Sequence, residues 1–162
     1  MSQVLGCPFF DADDFHSERN INLMRSGIPL TDDDRFDWLQ DLSILVCNLV
    51  KHHHKSVLAC SALKPGYRDT LISRASKSNV KFIWLDIDTA LAKSRGARRQ
   101  HFMPSSLIES QVLTLDVSSN DIDVHVPASM IRSMDVESLV EYIVSKTKSR
   151  DNSCTEVLDD HA

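Results

Sequence analysis

The chain has 162 residues, 42% of them hydrophobic and 25% charged, a composition and length that suit one globular domain with a real core. Eighteen Lys and Arg against 23 Asp and Glu leave a net charge of −5, which argues against nucleic-acid binding through a general basic face. No apolar run approaches membrane-spanning length, and the opening MSQVLGCPFF lacks the basic and long apolar parts of a secretory signal, so no membrane partner is expected. Cys7, Cys47, Cys60 and Cys154 are widely spread and form no CxxC pair, which favours reduced thiols and a cytoplasmic setting.

In chain order, Cys7–Phe10 is the first candidate strand, ended by Asp11. Asp11 and Asp13 lie just past it, where ligands bind in α/β sheets. Two carboxylates there suit a hydrated Mg²⁺ or the proton of a hydroxyl, and they equally suit capping of a helix start. Asp32–Lys51 places Trp38, Leu39, Leu42, Leu45, Val46 and Leu49 on one helical face, with Thr31 or Asp32 as N-cap. Asp32–Asp34 fit a capping box with exposed charges, whereas the planar guanidinium of Arg35 suits a carboxylate or phosphate. His52–His54 read as a solvated loop rather than a metal site.

Ser56–Cys60 is the second strand, with Cys60 as a small buried hydrophobe. Ser61 and Ala62 follow, small enough for close backbone approach to a ligand. Lys64–Arg74 is a helix with Pro65 in its first turn. Lys64, Tyr67 and Arg68 cluster at its start, which fits either anion binding or an ordinary basic surface turn. Val80–Ile87 is the third strand, and Asp88 caps a helix over Thr89–Arg98. Arg95, Arg98, Arg99 and His101 suit either a closing arginine lid over phosphates or complementation of a helix C-terminus. Pro104–Leu115 is a further helix, Ile122–Val126 the fourth strand and Val136–Lys148 a closing amphipathic helix. Residues 1–148 therefore form one domain, and the acidic, aperiodic 149–162 a disordered tail. Continuous apolar strands alternating with helices predict an α/β layer fold with a parallel sheet buried on both faces.

Five blocks in order, DADDFH (Asp11–His16), NINLMRSGIPL (Asn20–Leu30), DDDRFDWL (Asp32–Leu39), CSALKPGYRD (Cys60–Asp69) and HFMPSSLIESQ (His101–Gln111), resemble the gluconokinase family. The resemblance covers about Gly6 to Leu115. It implies a P-loop kinase fold of the nucleoside-monophosphate and shikimate kinase type: a three-layer parallel sheet with helices on both faces. It also implies transfer of the γ-phosphoryl group of ATP to the 6-hydroxyl of D-gluconate, with Mg²⁺, in the cytoplasm. By the same resemblance Asp13 orients or deprotonates the substrate hydroxyl and Asp11 meets the water shell of Mg²⁺. His16 and Arg35 contact the sugar acid, Arg35 through its carboxylate. Lys64, Tyr67 and Arg68 form a substrate wall, Arg95 and Arg98 a lid over the nucleotide, and His101 and Gln111 close the sugar pocket. A homodimer is implied too.

The sequence also departs from that family. Ser17 stands where proline is usual after His16, Gln100 where glycine precedes the histidine, and DVSS (Asp116–Ser119) where an acidic-proline element is common. Gly6, Gly27, Gly66 and Gly96 are the only glycines, and no GxxxxGK[ST] loop occurs. The chain therefore reads as shortened at its N-terminus by a strand–loop–helix unit on the order of thirty residues. That unit would carry the phosphate cradle and the first, central strand, so two strands should be left with open edges. An alternative reading is a non-catalytic isoform that binds the sugar acid or pairs with a full-length subunit. We expect the 162-residue chain alone to show little ATP-dependent phosphorylation of gluconate. A coupled assay on purified protein that finds turnover in the usual enzyme range, about 1–1,000 per second, would contradict this.

Overall fold

A computed structural model describes residues 1–52, 55–97, 104, 106–117 and 120–152, with the backbone alone for 95–97 and 148–152. The element order is α1 (Ser2–Leu5), β1 (Phe9–Asp11), α2 (Glu18–Arg25), α3 (Asp32–His52), β2 (Val57–Ala59), α4 (Pro65–Ile72), β3 (Ile83–Leu85), α5 (Thr89–Ala97), α6 (Leu107–Thr114), β4 (Val124–Val126), α7 (Ala128–Ser133) and α8 (Val136–Asn152). Single 3₁₀ turns lie at Ala12–Phe15 and Lys77–Asn79.

Helix α3 is the longest element, and its start is closed by side chains. The Thr31 hydroxyl accepts from the backbone N–H of Asp34, whose carboxylate accepts in return from the Thr31 N–H (2.9 Å) and hydroxyl (2.7 Å). These bonds, first from Thr31 and then from Arg19, hold the Asp34 carboxyl well below the usual carboxylate range. Trp38, Leu39, Leu42, Ser43, Val46 and Leu49 are buried along one face. Trp38, Leu39 and Leu42 pack with Ala12, Leu63, Tyr67 and Leu71, which makes α3 against α4 the main core. Each large apolar side chain buried there contributes about 1.5–3 kcal/mol.

Helix α2 has no counterpart among the helices expected from the sequence. Ser17, noted as a departure, is its N-cap and accepts from the Asn20 N–H at 3.2 Å. Gly27 closes the other end in the left-handed region at φ 73°, where a side chain would be strained. Asn20, buried, donates to the Asp34 carbonyl at 2.6 Å and so fastens α2 to the start of α3. The short helix α7 was also not expected. Helix α6 begins at Leu107 rather than Pro104. Helix α8, capped by Asp135 through the Ser138 N–H and hydroxyl, runs to Asn152 rather than stopping at Lys148, so the first part of the expected tail is helical. Residues 153–162 lie outside the described residues.

All four expected strands form, but each is three residues long. β1 pairs with β2 and β3 with β4, both in parallel. Among the described residues the two pairs are separate sheets, so each of the four strands has one edge without a strand beside it. This corrects the expectation of strands buried on both faces. Only β4 carries fully buried positions, Val124 and Val126, while Phe9 and Leu85 are exposed. A two-stranded sheet lacks the neighbours that would cover it. The core is divided accordingly, with Val124, Val126, Ile131 and Ile143 forming a second cluster.

Candidate functional site

The site begins where β1 ends. The Asp11 carboxylate accepts from the Asp13 N–H at 3.1 Å and caps the 3₁₀ turn that follows. The capping role therefore holds for Asp11, and the same turn brings Asp13 and His16 to the wall of a narrow pocket. The other lining residues are Met24 from α2, Pro29 and Leu30 before α3, Arg35 from α3, Ser61 after β2, and Leu107, Ser110 and Gln111 from α6. The three α6 residues share one face by their spacing of three and four. Met24, Leu30 and Leu107 pack together as the apolar part of the lining.

His16 lies flat on Trp38, with ring centroids 4.5 Å apart and planes 13° apart. Its Nε2 stands 3.9 Å from Asp13 Oδ1. Burial first, then the nearby Arg35 charge, pushes its pKa down to about 4, so the ring is neutral at pH 7. Arg35 is 9% exposed, donates from Nη2 to the Leu30 carbonyl at 3.2 Å and lies 5.8 Å above the Tyr67 ring. His16 Nδ1 and Arg35 Nε are both buried without a hydrogen-bond partner among the described residues. Buried polar atoms are nearly always satisfied, so two orphans on residues lining one pocket point to a polar ligand. The arrangement offers a cation at one wall, a neutral imidazole and a carboxylate at another, and hydroxyl and amide groups from Ser61, Ser110 and Gln111. Such a set can hold an anionic, hydroxyl-rich molecule and take up a hydroxyl proton.

The basic cluster at the start of α4 does not line this pocket. Lys64 Nζ bonds both carboxylate oxygens of Asp32 at 2.7 Å, and the Tyr67 hydroxyl donates to the same carboxylate. The Tyr67 ring also lies beneath the Arg35 guanidinium. Arg68 is 2% exposed. It pairs with Asp121 and donates to the carbonyls of Ala62 and Asp116, each at 2.7 Å. Its guanidinium ties the loop after β2 to the segment after α6, a buried role that a sequence cluster of basic residues does not reveal. Ala62 holds a positive φ of 37° in that loop. Burial pushes the Cys60 thiol up to about 12, consistent with an inert core cysteine. Arg95 lies in α5, and its side chain, Arg98 and His101 fall outside the described residues. The sequence singled out Ser61 only as a residue small enough for backbone approach to a ligand, and it assigned no contact to Ser110 or the apolar lining. The face shared by Leu107, Ser110 and Gln111 was the available signal.

No family model matches the chain. It is 37% identical over 154 residues to a probable gluconokinase of Dictyostelium discoideum, an alignment covering 91% of this chain and 77% of that protein. It is 40% identical over 117 residues to the thermosensitive gluconokinase of Escherichia coli K12, covering 72% of this chain and 62% of the relative. Among solved structures, a sugar kinase from Janibacter superposes with a TM-score of 0.76 at 35% identity, over 91% of this chain and 83% of that one. A gluconokinase from Sinorhizobium meliloti 1021 gives a TM-score of 0.75 at 30% identity, over 97% of this chain and 86% of that one.

Two outcomes follow from the buried groups. Arg68→Met removes a buried guanidinium together with its ion pair to Asp121 and its bonds to the Ala62 and Asp116 carbonyls, and urea unfolding should show a loss of about 3–5 kcal/mol. An unchanged midpoint and slope would show that Arg68 ties nothing. His16 supplies an acid-labile contribution. Its folded pKa lies below the unfolded value of 6.5, so the unfolded chain takes up its proton first as pH falls. The His16 contribution is therefore intact above about pH 6.5 and declines toward pH 4. Unfolding curves at pH 7 and pH 5 should show a smaller pH loss in His16→Gln than in the unmodified chain.

Proposed function

The chain belongs to the gluconokinase family and has the P-loop kinase fold, and from that premise we propose that its pocket binds D-gluconate for phosphorylation to 6-phospho-D-gluconate. The observation that carries this reading is the pair of orphan buried nitrogens on His16 and Arg35 beside Asp13. Arg35, already bonded through Nη2, keeps Nε for the sugar-acid carboxylate. His16, neutral, offers Nδ1 to a hydroxyl, as donor or acceptor according to tautomer. Asp13 orients the reacting hydroxyl and accepts its proton. Ser61, Ser110 and Gln111, which line the same pocket, would meet the remaining hydroxyls.

Mg²⁺ and ATP belong to this reading through the family. The oxygen donors of Asp11 and Asp13, one residue apart at a strand end, fit a Mg²⁺ that keeps part of its water shell. ATP would supply the transferred phosphoryl group. For its phosphates the described residues offer no matching cradle, since none of the 162 residues forms a GxxxxGK[ST] loop. We assign nucleotide contacts to Arg95 and Arg98 on the family pattern alone. The reading places the protein in the cytoplasm, in keeping with the free thiols of Cys7, Cys47 and Cys60. Among the described residues no helix is long and apolar enough to cross a membrane.

A second reading draws on the open strand edges, which lack a strand neighbour among the described residues. In it the chain binds the sugar acid without turnover, or pairs with a full-length subunit or a second copy of itself. The gluconate site is common to both readings. Arg35→Lys keeps the charge but loses the planar fork. Calorimetry should show gluconate affinity lowered about tenfold or more, the equivalent of a charge-assisted hydrogen bond. Glucose, which lacks the carboxylate, should bind the two proteins alike. Equal gluconate affinity in both proteins would remove Arg35 from the site.

A further inference from the structure

Trp38 reads in the sequence as one more apolar residue on the buried face of α3, and it is 3% exposed. Two contacts separate it from its neighbours Leu39 and Leu42. Its indole Nε1 donates to the Ala12 carbonyl at 2.8 Å. Ala12 sits between Asp11 and Asp13 in the 3₁₀ turn and is itself buried. The face of the same indole carries the His16 ring at 4.5 Å. A leucine would also be apolar there, though smaller, and would make neither contact. Arg35, one turn earlier on α3, lines the pocket directly.

We infer that Trp38 is a positioning residue for the sugar-acid site, its N–H fixing the turn that carries Asp13 and its ring face fixing His16. This rests on the gluconate reading and extends it to a residue that does not line the pocket. The physical reason is rigidity. Trp38 is locked by the α3–α4 core, so three site groups inherit their spacing from one helix: Arg35 directly, Asp13 and His16 through the indole. The charged groups facing His16 are Asp13, 3.9 Å away, and Arg35. The indole adds no charge and acts on the imidazole by covering it.

Two variants divide the roles. Trp38→Phe keeps an aromatic face and loses the N–H, while Trp38→Leu loses both and remains apolar. Imidazole NMR at about pH 7, with the His16 signal assigned by its loss in His16→Gln, follows the ring without any need for turnover, because an aromatic face stacked on the imidazole shifts its ring protons upfield. In the unmodified chain the His16 ring protons should be shifted upfield, and in Trp38→Phe the shift should be smaller but present. In Trp38→Leu it should be lost. Gluconate affinity by calorimetry should fall several-fold in Trp38→Phe and about tenfold or more in Trp38→Leu. A folded Trp38→Leu with unchanged His16 ring-proton shifts and unchanged gluconate affinity would overturn the inference and leave Trp38 a core residue. If Trp38→Leu fails to unfold cooperatively, Trp38→Phe decides: unchanged gluconate affinity there overturns the role of the N–H. Loss of the upfield His16 shift in Trp38→Leu, in a series where even the unmodified chain binds no gluconate, upholds the positioning and overturns the substrate reading.

Discussion

Burial of one face of α3 against α4 is the interaction on which the rest of the pocket depends. Leu42 is fully buried there, with Trp38, Leu39, Tyr67 and Leu71 around it. Because interiors are packed to crystal-like density, this contact leaves α3 little freedom to slide or rotate. The residues on its first two turns are placed by that constraint. Arg35 reaches the pocket, Trp38 reaches the turn after β1, and Asp34 receives the start of α2 through Asn20 and Arg19. A site that must hold several polar groups at fixed spacing gains by hanging them from a single packed helix rather than from loops alone.

Two buried arginines show how the same side chain serves opposite ends. Arg68 has its guanidinium answered from within the protein, by Asp121 and two carbonyls. Arg35, nearly as buried, keeps Nε without an internal partner, as His16 keeps Nδ1. A satisfied buried cation is a tie, whereas an unsatisfied one is a vacancy in the hydrogen-bond pattern that a ligand can complete. The distinction rests on where partners sit in space.

The strands place the site without enclosing it. Asp11 ends β1 and Ser61 follows β2, so both come from the carboxyl ends of a parallel pair, where α/β folds gather ligands. The second pair, β3 with β4, carries its own core of Val124, Val126, Ile131 and Ile143 and contributes no pocket residue. The pocket thus belongs to the β1–β2 half together with α2, α3 and α6.

Elements with a strong period or a clear terminal signal were legible in the sequence. The apolar spacing of α3, the four strand positions and the caps at Thr31 and Asp88 follow from local rules. Asp13, His16, Arg35 and Gln111, which the ordered blocks bring forward, line one pocket in the structure. Helix α2 was not legible, because its eight residues carry only a short apolar pattern and its stability comes from Ser17, Gly27 and the tie to α3. The basic turn of Lys64, Tyr67 and Arg68 suggested a ligand wall, yet each of these residues found an acidic partner in the chain. Those partners, Asp32 and Asp121, lie 32 and 53 residues away in sequence from Lys64 and Arg68. By itself, then, the sequence determined the family, the order of elements and the chemical types brought to the pocket, because periodicity, capping and motif are local. Only the tertiary structure decided which cations were already neutralised and which buried atoms still lacked a partner, because those depend on contacts between segments far apart in the chain.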